Sequence, residues 1–203
     1  MHEQGFDNGA AHRARRLLLC ERGDARRGEM ERFVQDSFAA KHGAHVHSFM
    51  PTLLALRSAN DQLCSVAGFR GAGDEPLFLE RYLSTPIEHA LSMATGNSIA
   101  RDQIVEVGNL ASISCRAAMS LMLELPRFLL ERGQRWMVFT ATDTVRAVLD
   151  AYRAPLIHLA TAQADRVAGL GDDWGHYYET DPRVMAGFLP DGEKLRRPER
   201  RRD

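Results

Sequence analysis

One short apolar segment of the sequence carries an acid and an amide that could do chemistry together. The segment is Ile104–Ala111, IVEVGNLA, in which Glu106 and Asn109 stand among aliphatic residues and one glycine. Side chains alternate along a regular strand, so these two would face opposite sides of a sheet. A bulge at Gly108 would bring them to one side, where a carboxylate could accept a proton from a bound substrate. An edge strand with a solvent-facing charge is the alternative.

The backbone after this strand offers a second kind of chemistry. A bulged strand diverges from its neighbour and leaves N–H groups unpaired beside the next helix, where an anion or a carbonyl oxygen can bind. Ser112 or Ser114 is suited to cap that helix. Cys115 could be a reactive thiolate assisted by His89 or His158, although a small buried residue is the more common role of such a cysteine.

Other familiar sites lack their sequence signatures. His42, His45 and His47 lie close together, but no acid or cysteine stands at a fixed spacing from them, so we predict no metal site. The nucleophile elbow of hydrolases and the glycine-rich loops that bind nucleotides and dinucleotides are also missing. The aromatic cluster at Trp174–Tyr178 could pack in the core or line a ligand cleft.

Composition narrows the class of protein. The 203 residues are 44% apolar and 26% charged, as expected for a globular domain with a substantial core. The net charge of −1 gives no overall field that would attract nucleic acid or an anionic membrane surface. The three cysteines show no C-x-x-C spacing and the N-terminus does not resemble a secretory signal, so we expect a cytoplasmic protein. No apolar run approaches the roughly 18 residues of a membrane-spanning helix.

These residues must be positioned by alternating strands and helices. We divide the chain into an N-terminal tail (1–14), a single domain (15–190) and a basic C-terminal tail (191–203), with both tails expected to be flexible. Apolar periodicity predicts strands at 16–21, 52–57, 63–70, 104–111, 135–140 and 156–160, and helices at 25–41, 115–131 and 144–152, with two short helices within 76–93. Residues 174–188 show no clear period. This order predicts an α/β (α+β) fold, a mixed sheet with helices on both faces.

Five segments, in this order, resemble the thermostable hemolysin family. They are Phe49–Pro51, Leu77–Glu88, Ile104–Ala111, Phe139–Thr142 and Trp174–Gly187. The resemblance covers about residues 43–188. That family is similar in fold to the GNAT acyltransferases and the acyl-homoserine lactone synthases, in which a splayed strand and the following helix hold a thioester. The resemblance therefore implies a GNAT-like, mostly antiparallel twisted sheet with a splayed central strand, and acyl transfer from a thioester to an amine.

The resemblance also implies roles for individual residues. Glu106 is the expected base for the amine, and Asn109 is expected to hydrogen-bond the amine or the acyl substrate. The expected thioester-binding residues are Leu110, Ala111, Ser112, Ser114 and Arg116. The expected acceptor-binding residues are Arg70, Glu80, Tyr82, Glu88, Arg101, Thr140, Trp174 and Tyr177. For Arg70, Glu80, Glu88 and Arg101 the alternative is a structural network of salt bridges.

The sequence departs from typical GNAT enzymes where the donor would bind. Their R/Q-x-x-G-x-G/A motif is replaced by SISCRAA at Ser112–Ala118, which puts coenzyme A in doubt and leaves room for an acyl carrier protein. We therefore expect no tightly bound cofactor, and either acyl-CoA or the phosphopantetheine of a carrier protein as co-substrate. The acceptor would be an amine or amino acid, and the amide product would belong to a biosynthetic route. A membrane-active hemolysin and a non-catalytic acyl-binding module are the alternatives, and the oligomeric state is not indicated.

Overall fold

The computed structural model describes residues 16–192, whose strands form one seven-stranded sheet. The strands are β1 (Arg16–Cys20), β2 (Thr52–Arg57), β3 (Leu63–Gly71), β4 (Ile104–Ser112), β5 (Trp136–Ala141), β6 (Leu156–Thr161) and β7 (Arg183–Phe188). Their order is β1-β2-β3-β4-β5-β7-β6, and every neighbouring pair is antiparallel except β4 with β5. This confirms the predicted mixed, mostly antiparallel sheet.

Helices cover both faces of the sheet. They are α1 (Arg27–His42), α2 (Ile87–Thr95), α3 (Cys115–Leu130), α4 (Asp143–Ala151) and the short α5 (Leu189–Gly192). We call the side on which α3 and α4 pack the α3 face; it buries Val105 and Val107 of β4. The opposite side, the α1 face, carries α1, α2 and a short 3-10 helix at Phe78–Tyr82. Ile104 lies on this second face because side chains alternate along the strand.

The central parallel pair parts halfway along its length. β4 and β5 pair from Ile104 and Trp136 only as far as Val107 and Phe139. Beyond that point β4 follows β3, and β5 follows β7. The divergence agrees with the predicted splayed strand.

A bulge in β4 accompanies the divergence. The register of β3 with β4 shifts so that Ala67 faces both Asn109 and Leu110, and Asn109 adopts a left-handed backbone with φ 49°. The bulge lies one residue later than the predicted position, Gly108. It still places Asn109 on the α1 face together with Glu106, because Asn109 bonds the Met50 backbone there.

The chain following the bulge begins α3. Ser114 is the N-cap of this helix, since its hydroxyl oxygen accepts a hydrogen bond from the Ala117 N–H at 3.2 Å. Pro126 lies inside this helix, which continues to Leu130.

Two expectations about the chain differ from the structure. The unassigned segment 174–188 contains a 3-10 helix at Tyr177–Thr180 and the strand β7, which inserts between β5 and β6. Asp191 and Gly192, assigned to the C-terminal tail, belong to α5. The remainder of the two proposed tails lies outside the described residues.

Met50 lies across two glycines that face each other on neighbouring strands, Gly68 and Gly108. A Cβ atom added at Gly68 would be 2.6 Å from the Met50 Cβ, and one added at Gly108 would be 2.7 Å from the Met50 Cε. Both distances are too short, so the two strands approach this side chain only because neither residue has a Cβ.

The two glycines should respond differently to substitution. We expect Gly68→Ala to lower the free energy of unfolding by about 2–3 kcal/mol, because the Met50 Cβ is fixed by the backbone. Gly108→Ala should lower it by less than about 1 kcal/mol, because the Met50 Cε can rotate away. Urea unfolding of the two variants measures the difference, and equal losses would contradict it.

Candidate active site

A cavity of about 610 Å³ lies where β4 and β5 part, and residues from both faces of the sheet line it. We call its α3-face side the apolar compartment; the lining includes Val107, Leu110, Met119, Met122, Phe139 and Val148. We call its α1-face side the polar compartment; the lining includes Arg70, Tyr82, Glu106, Asn109, Trp174 and Tyr178. The gap between β4 and β5 therefore connects the apolar compartment to the polar compartment.

Glu106 is the buried acid of the polar compartment, with 3% of its surface exposed. Its two carboxylate oxygens accept hydrogen bonds from the N–H groups of Phe78 (2.7 Å) and Leu79 (3.0 Å), at the start of the 3-10 helix. Burial raises the pKa of Glu106 to about 7, although these N–H groups and the nearby Arg70 favour its charged form. The side chain can therefore exchange a proton near neutral pH.

Arg70 stands opposite Glu106 on β3, and its Nε atom lies 3.5 Å from the Glu106 Oε2. That Nε donates to the Met50 sulfur at 3.0 Å, and Nη1 lies 3.4 Å from the Pro76 carbonyl oxygen. Nη2 has no hydrogen-bond partner among residues 16–192. The guanidinium can therefore bind an anionic group in the cavity.

Asn109 lines the cavity, but its amide holds a loop. Its Oδ1 accepts from the Met50 N–H at 2.8 Å, and its Nδ2 donates to the Ser48 carbonyl at 3.3 Å. We expected this amide to bind the amine or the acyl substrate. The structure instead shows it fixing the segment before β2.

Three of the expected acceptor-binding residues form a network outside the cavity lining. Arg101 contacts Glu80 at 2.6 and 2.8 Å and Glu88 at 2.7 Å. Glu80 also accepts from the N–H groups of Leu77 and Ile87. The hydrogen bond from Arg101 holds the pKa of Glu80 at about 2. The structural alternative therefore applies to Glu80, Glu88 and Arg101, and it corrects their assignment to the acceptor site.

The expected thioester-binding residues divide into two groups. Leu110, Ser112 and Ser114 line the cavity. Ala111 is fully buried, with its carbonyl accepting from the Ser65 hydroxyl at 2.9 Å, and Arg116 is exposed; neither lines the cavity.

Aromatic rings close much of the polar compartment. Tyr82, Trp174 and Tyr177 line it, and Thr140 lies at the point where β5 leaves β4. The Tyr82 hydroxyl lies 2.5 Å from that of Tyr178, which belongs to the aromatic cluster at Trp174–Tyr178. Burial raises the pKa of Tyr82 above its ordinary range, so its hydroxyl stays protonated.

Within 16–192, no cluster of three or more His, Cys, Asp or Glu side chains could hold a metal ion. Over the same residues, no helix is both long and apolar enough to cross a membrane.

The Arg101 network should contribute to stability. We expect Arg101→Met to lower the free energy of unfolding by about 2–4 kcal/mol, because two largely buried carboxylates lose their partner. Arg116→Met, at an exposed arginine of the same domain, is the matched control and should change it by less than about 0.5 kcal/mol. Equal stabilities of the two variants in urea unfolding would show that the network is not structural.

Solved structures share this fold. FeeM, an N-acyl amino acid synthase from uncultured soil microbes, is 14% identical with a TM-score of 0.61, over 92% of this chain and 96% of FeeM. BjaI, a CoA-dependent acyl-homoserine lactone synthase solved with SAM and isopentyl-CoA, is 12% identical with a TM-score of 0.58, over 90% of this chain and 88% of BjaI. A GCN5-related N-acetyltransferase from Kribbella flavida is 10% identical with a TM-score of 0.50, over 85% of this chain and 97% of that one.

No sequence among curated proteins matches the chain significantly. The family model described as thermostable hemolysin matches residues 20–193. Since this match spans most of the sequence and the fold is that of the GNAT-like structures above, the chain belongs to the thermostable hemolysin family.

Proposed function

We propose that this protein transfers a fatty acyl group from a thioester to the amine of a small acceptor, forming an amide. One observation carries the proposal: a single cavity joins an apolar compartment to the buried Glu106 through the gap between β4 and β5. The activities of two proteins with a similar fold support it, since FeeM is an N-acyl amino acid synthase and BjaI is an acyl-homoserine lactone synthase. The acyl chain would lie on one side of the sheet and the amine on the other.

The reaction needs a neutral amine, a polarised carbonyl and their close approach. The neutral amine nitrogen attacks the thioester carbon and the C–S bond breaks. The leaving sulfur takes up the proton that the attacking nitrogen loses as the amide forms, so it departs as a thiol. The Glu106 carboxylate accepts the proton that the ammonium group loses. An α-ammonium group has a reference pKa near ~8, close to the pKa of about 7 for Glu106, so the transfer is nearly balanced.

The thioester carbonyl would be polarised by the backbone of β4. Beyond Val107 the edge of this strand is no longer paired with β5, so N–H groups on that edge are left for an oxygen ligand. Leu110, Ser112 and Ser114 line the cavity along this path and are our proposed donor-binding residues. We propose that the donor is either acyl-CoA or an acyl carrier protein. We place the reaction in the cytoplasm.

Arg70 is the proposed binding residue for a carboxylate on the acceptor. Its Nε lies 3.5 Å from Glu106, so a carboxylate at its Nη2 edge would place the amine of an α-amino acid near the Glu106 carboxyl. We therefore favour an amino acid over a simple alkylamine.

The function is tested by incubating the purified protein with panels of acyl-CoA and acyl-carrier donors against pooled amino acids and amines. Mass spectrometry should detect an N-acyl amide. Binding of the donor without any product would favour a non-catalytic acyl-binding module, and lysis of erythrocytes by the protein without substrates would favour the hemolysin alternative.

Glu106→Gln should lower kcat by on the order of 10² near pH 7, because the amide cannot accept the proton. The kcat/KM of the unaltered protein should rise as the pH passes about 7, where Glu106 ionises, and the variant should lack this rise. The difference between them should shrink at higher pH, where the amine is already neutral.

The stability of this variant must be measured alongside its activity. The N–H groups of Phe78 and Leu79 bond different carboxylate oxygens, and the amide replaces one of these oxygens with an NH2 donor that faces an N–H group. We therefore expect the free energy of unfolding to fall by about 1–3 kcal/mol. Full activity of folded Glu106→Gln from pH 6 to 9 would show that the carboxylate serves only to hold the 3-10 helix.

The apolar compartment should select long acyl chains. Its lining runs from Leu110 to Met137. Met137 pairs with Val105, and Val105 and Leu110 are about 16 Å apart along β4. An extended chain advances about 3.8 Å for every three bonds, so about 12 carbons fit. We expect dodecanoyl donors to exceed acetyl donors by about 10² in kcat/KM.

A larger side chain in the compartment should shorten the preferred donor. Val148→Phe should move the optimum to fewer carbons, whereas Ala147→Phe, exposed on the same helix, should leave it unchanged. Chain-length profiles that coincide for the two variants would contradict this location of the acyl chain.

A further inference from the structure

Arg70 and Glu106 form a charged pair in the polar compartment, but they lie farther apart than a direct hydrogen bond between such groups. A guanidinium beside a carboxylate commonly forms hydrogen bonds of about 2.7–2.9 Å. Arg70 and Glu106 face each other in register, yet the Arg70 Nε and the Glu106 Oε2 remain 3.5 Å apart. The Nε hydrogen points instead to the Met50 sulfur, 3.0 Å away.

The position of Met50 does not depend on Arg70. Its N–H is bonded to Asn109, and its carbonyl accepts from the Arg27 Nη2 at 2.7 Å. Its side chain occupies the space over Gly68 and Gly108, and only 6% of the residue is exposed. The backbone and the two glycines thus fix the sulfur where the Nε of Arg70 meets it.

A thioether is an unusual partner for this arginine. It is a weak, uncharged acceptor, so it orients the guanidinium without neutralising it. A carboxylate in the place of the Met50 sulfur would both orient the guanidinium and neutralise its charge. Arg70 therefore keeps its charge, and Glu75 is the other acid near it, at 3.9 Å.

We propose that Met50 is a positioning residue whose sulfur holds Arg70 back from Glu106, so that Glu106 stays a proton acceptor and Arg70 keeps its Nη2 edge for the acceptor's carboxylate. The role of Arg70 in binding the acceptor's carboxylate rests on the proposed function. The separation of the two charges is a property of the protein without substrate.

The other groups around Glu106 do not replace this effect. The N–H groups of Phe78 and Leu79 bond the carboxylate directly, and Glu80 and Tyr82 on the same 3-10 helix also interact with it. β5 places the apolar Val138 opposite it. Arg70 is the cation near Glu106 whose position is set by the Met50 sulfur.

The test is Met50→Leu, which keeps an apolar side chain of similar volume and removes the acceptor. Met30→Leu is the matched control, since Met30 is fully buried, packs in the same hydrophobic cluster as Met50 and has no side-chain hydrogen bond within residues 16–192. Carbon-13 NMR of the glutamate carboxyl groups follows Glu106 as the pH changes, with no substrate present. We expect the midpoint of Glu106 to fall by about one pH unit or more in Met50→Leu, because Arg70 closes onto it.

The midpoint should stay unchanged in Met30→Leu. Equal midpoints in Met50→Leu and the control would overturn the proposal. Where turnover is measured, Met50→Leu should also move the rise in kcat/KM to lower pH and raise the KM for the acceptor. Absence of any turnover would count against the proposed function alone, because the titration does not depend on it.

A measurement on the unaltered protein keeps the proposal testable if Met50→Leu does not fold. The Phe78 N–H bonds the Glu106 carboxylate, so its proton chemical shift should change strongly as Glu106 ionises. The Arg70 Nε proton should change much less, because it bonds sulfur. A change as large as that of Phe78 would show that Nε bonds the carboxylate and would overturn the proposal.

Discussion

The divergence of β4 from β5 after Val107 is the constraint on which the other features of the site depend. A parallel pair that stayed together to Ser112 would leave no passage between the faces of the sheet. The bulge at Asn109 and Leu110 turns β4 away with β3, and the chain then enters α3 beside the gap. The cavity, its two compartments and the unpaired strand edge all follow from that one irregularity.

Glu106 combines a structural and a chemical role in one side chain. Its carboxylate satisfies two N–H groups at the start of the 3-10 helix, and that helix supplies Tyr82 to the same compartment. Hydrogen bonds of this kind favour the charged carboxylate, while burial favours the neutral one. The balance leaves the pKa at about 7, so a group that anchors the backbone also remains able to exchange a proton.

Apolar periodicity was enough to predict six of the seven strands, because each alternates or clusters its aliphatic residues over a sufficient length. β7 was missed because RVMAGF shows no clear alternation and follows directly on the aromatic-rich segment 174–182, and its place between β5 and β6 depends on tertiary pairing. Glu106 was found because an acid in an apolar run is unusual. The ion pairs of Arg101 and the packing of Met50 over two glycines could not be predicted, because they depend on tertiary contacts between residues far apart in the sequence.

The short pairing of β4 with β5 also divides the sheet in a way that follows the chain. Strands β1 to β4 are formed by residues 16–112 and strands β5 to β7 by residues 136–188, so each block is continuous in sequence. Within residues 16–192, four residue pairs join the strands of the two blocks, from Ile104–Trp136 to Val107–Phe139, and an isolated bridge pairs His45 with Asp173 outside the strands. Most strand contacts can therefore form within one block before the blocks meet. We therefore expect backbone amides along the open edges to exchange with water sooner than those inside either block, with the gap as the line along which the domain opens.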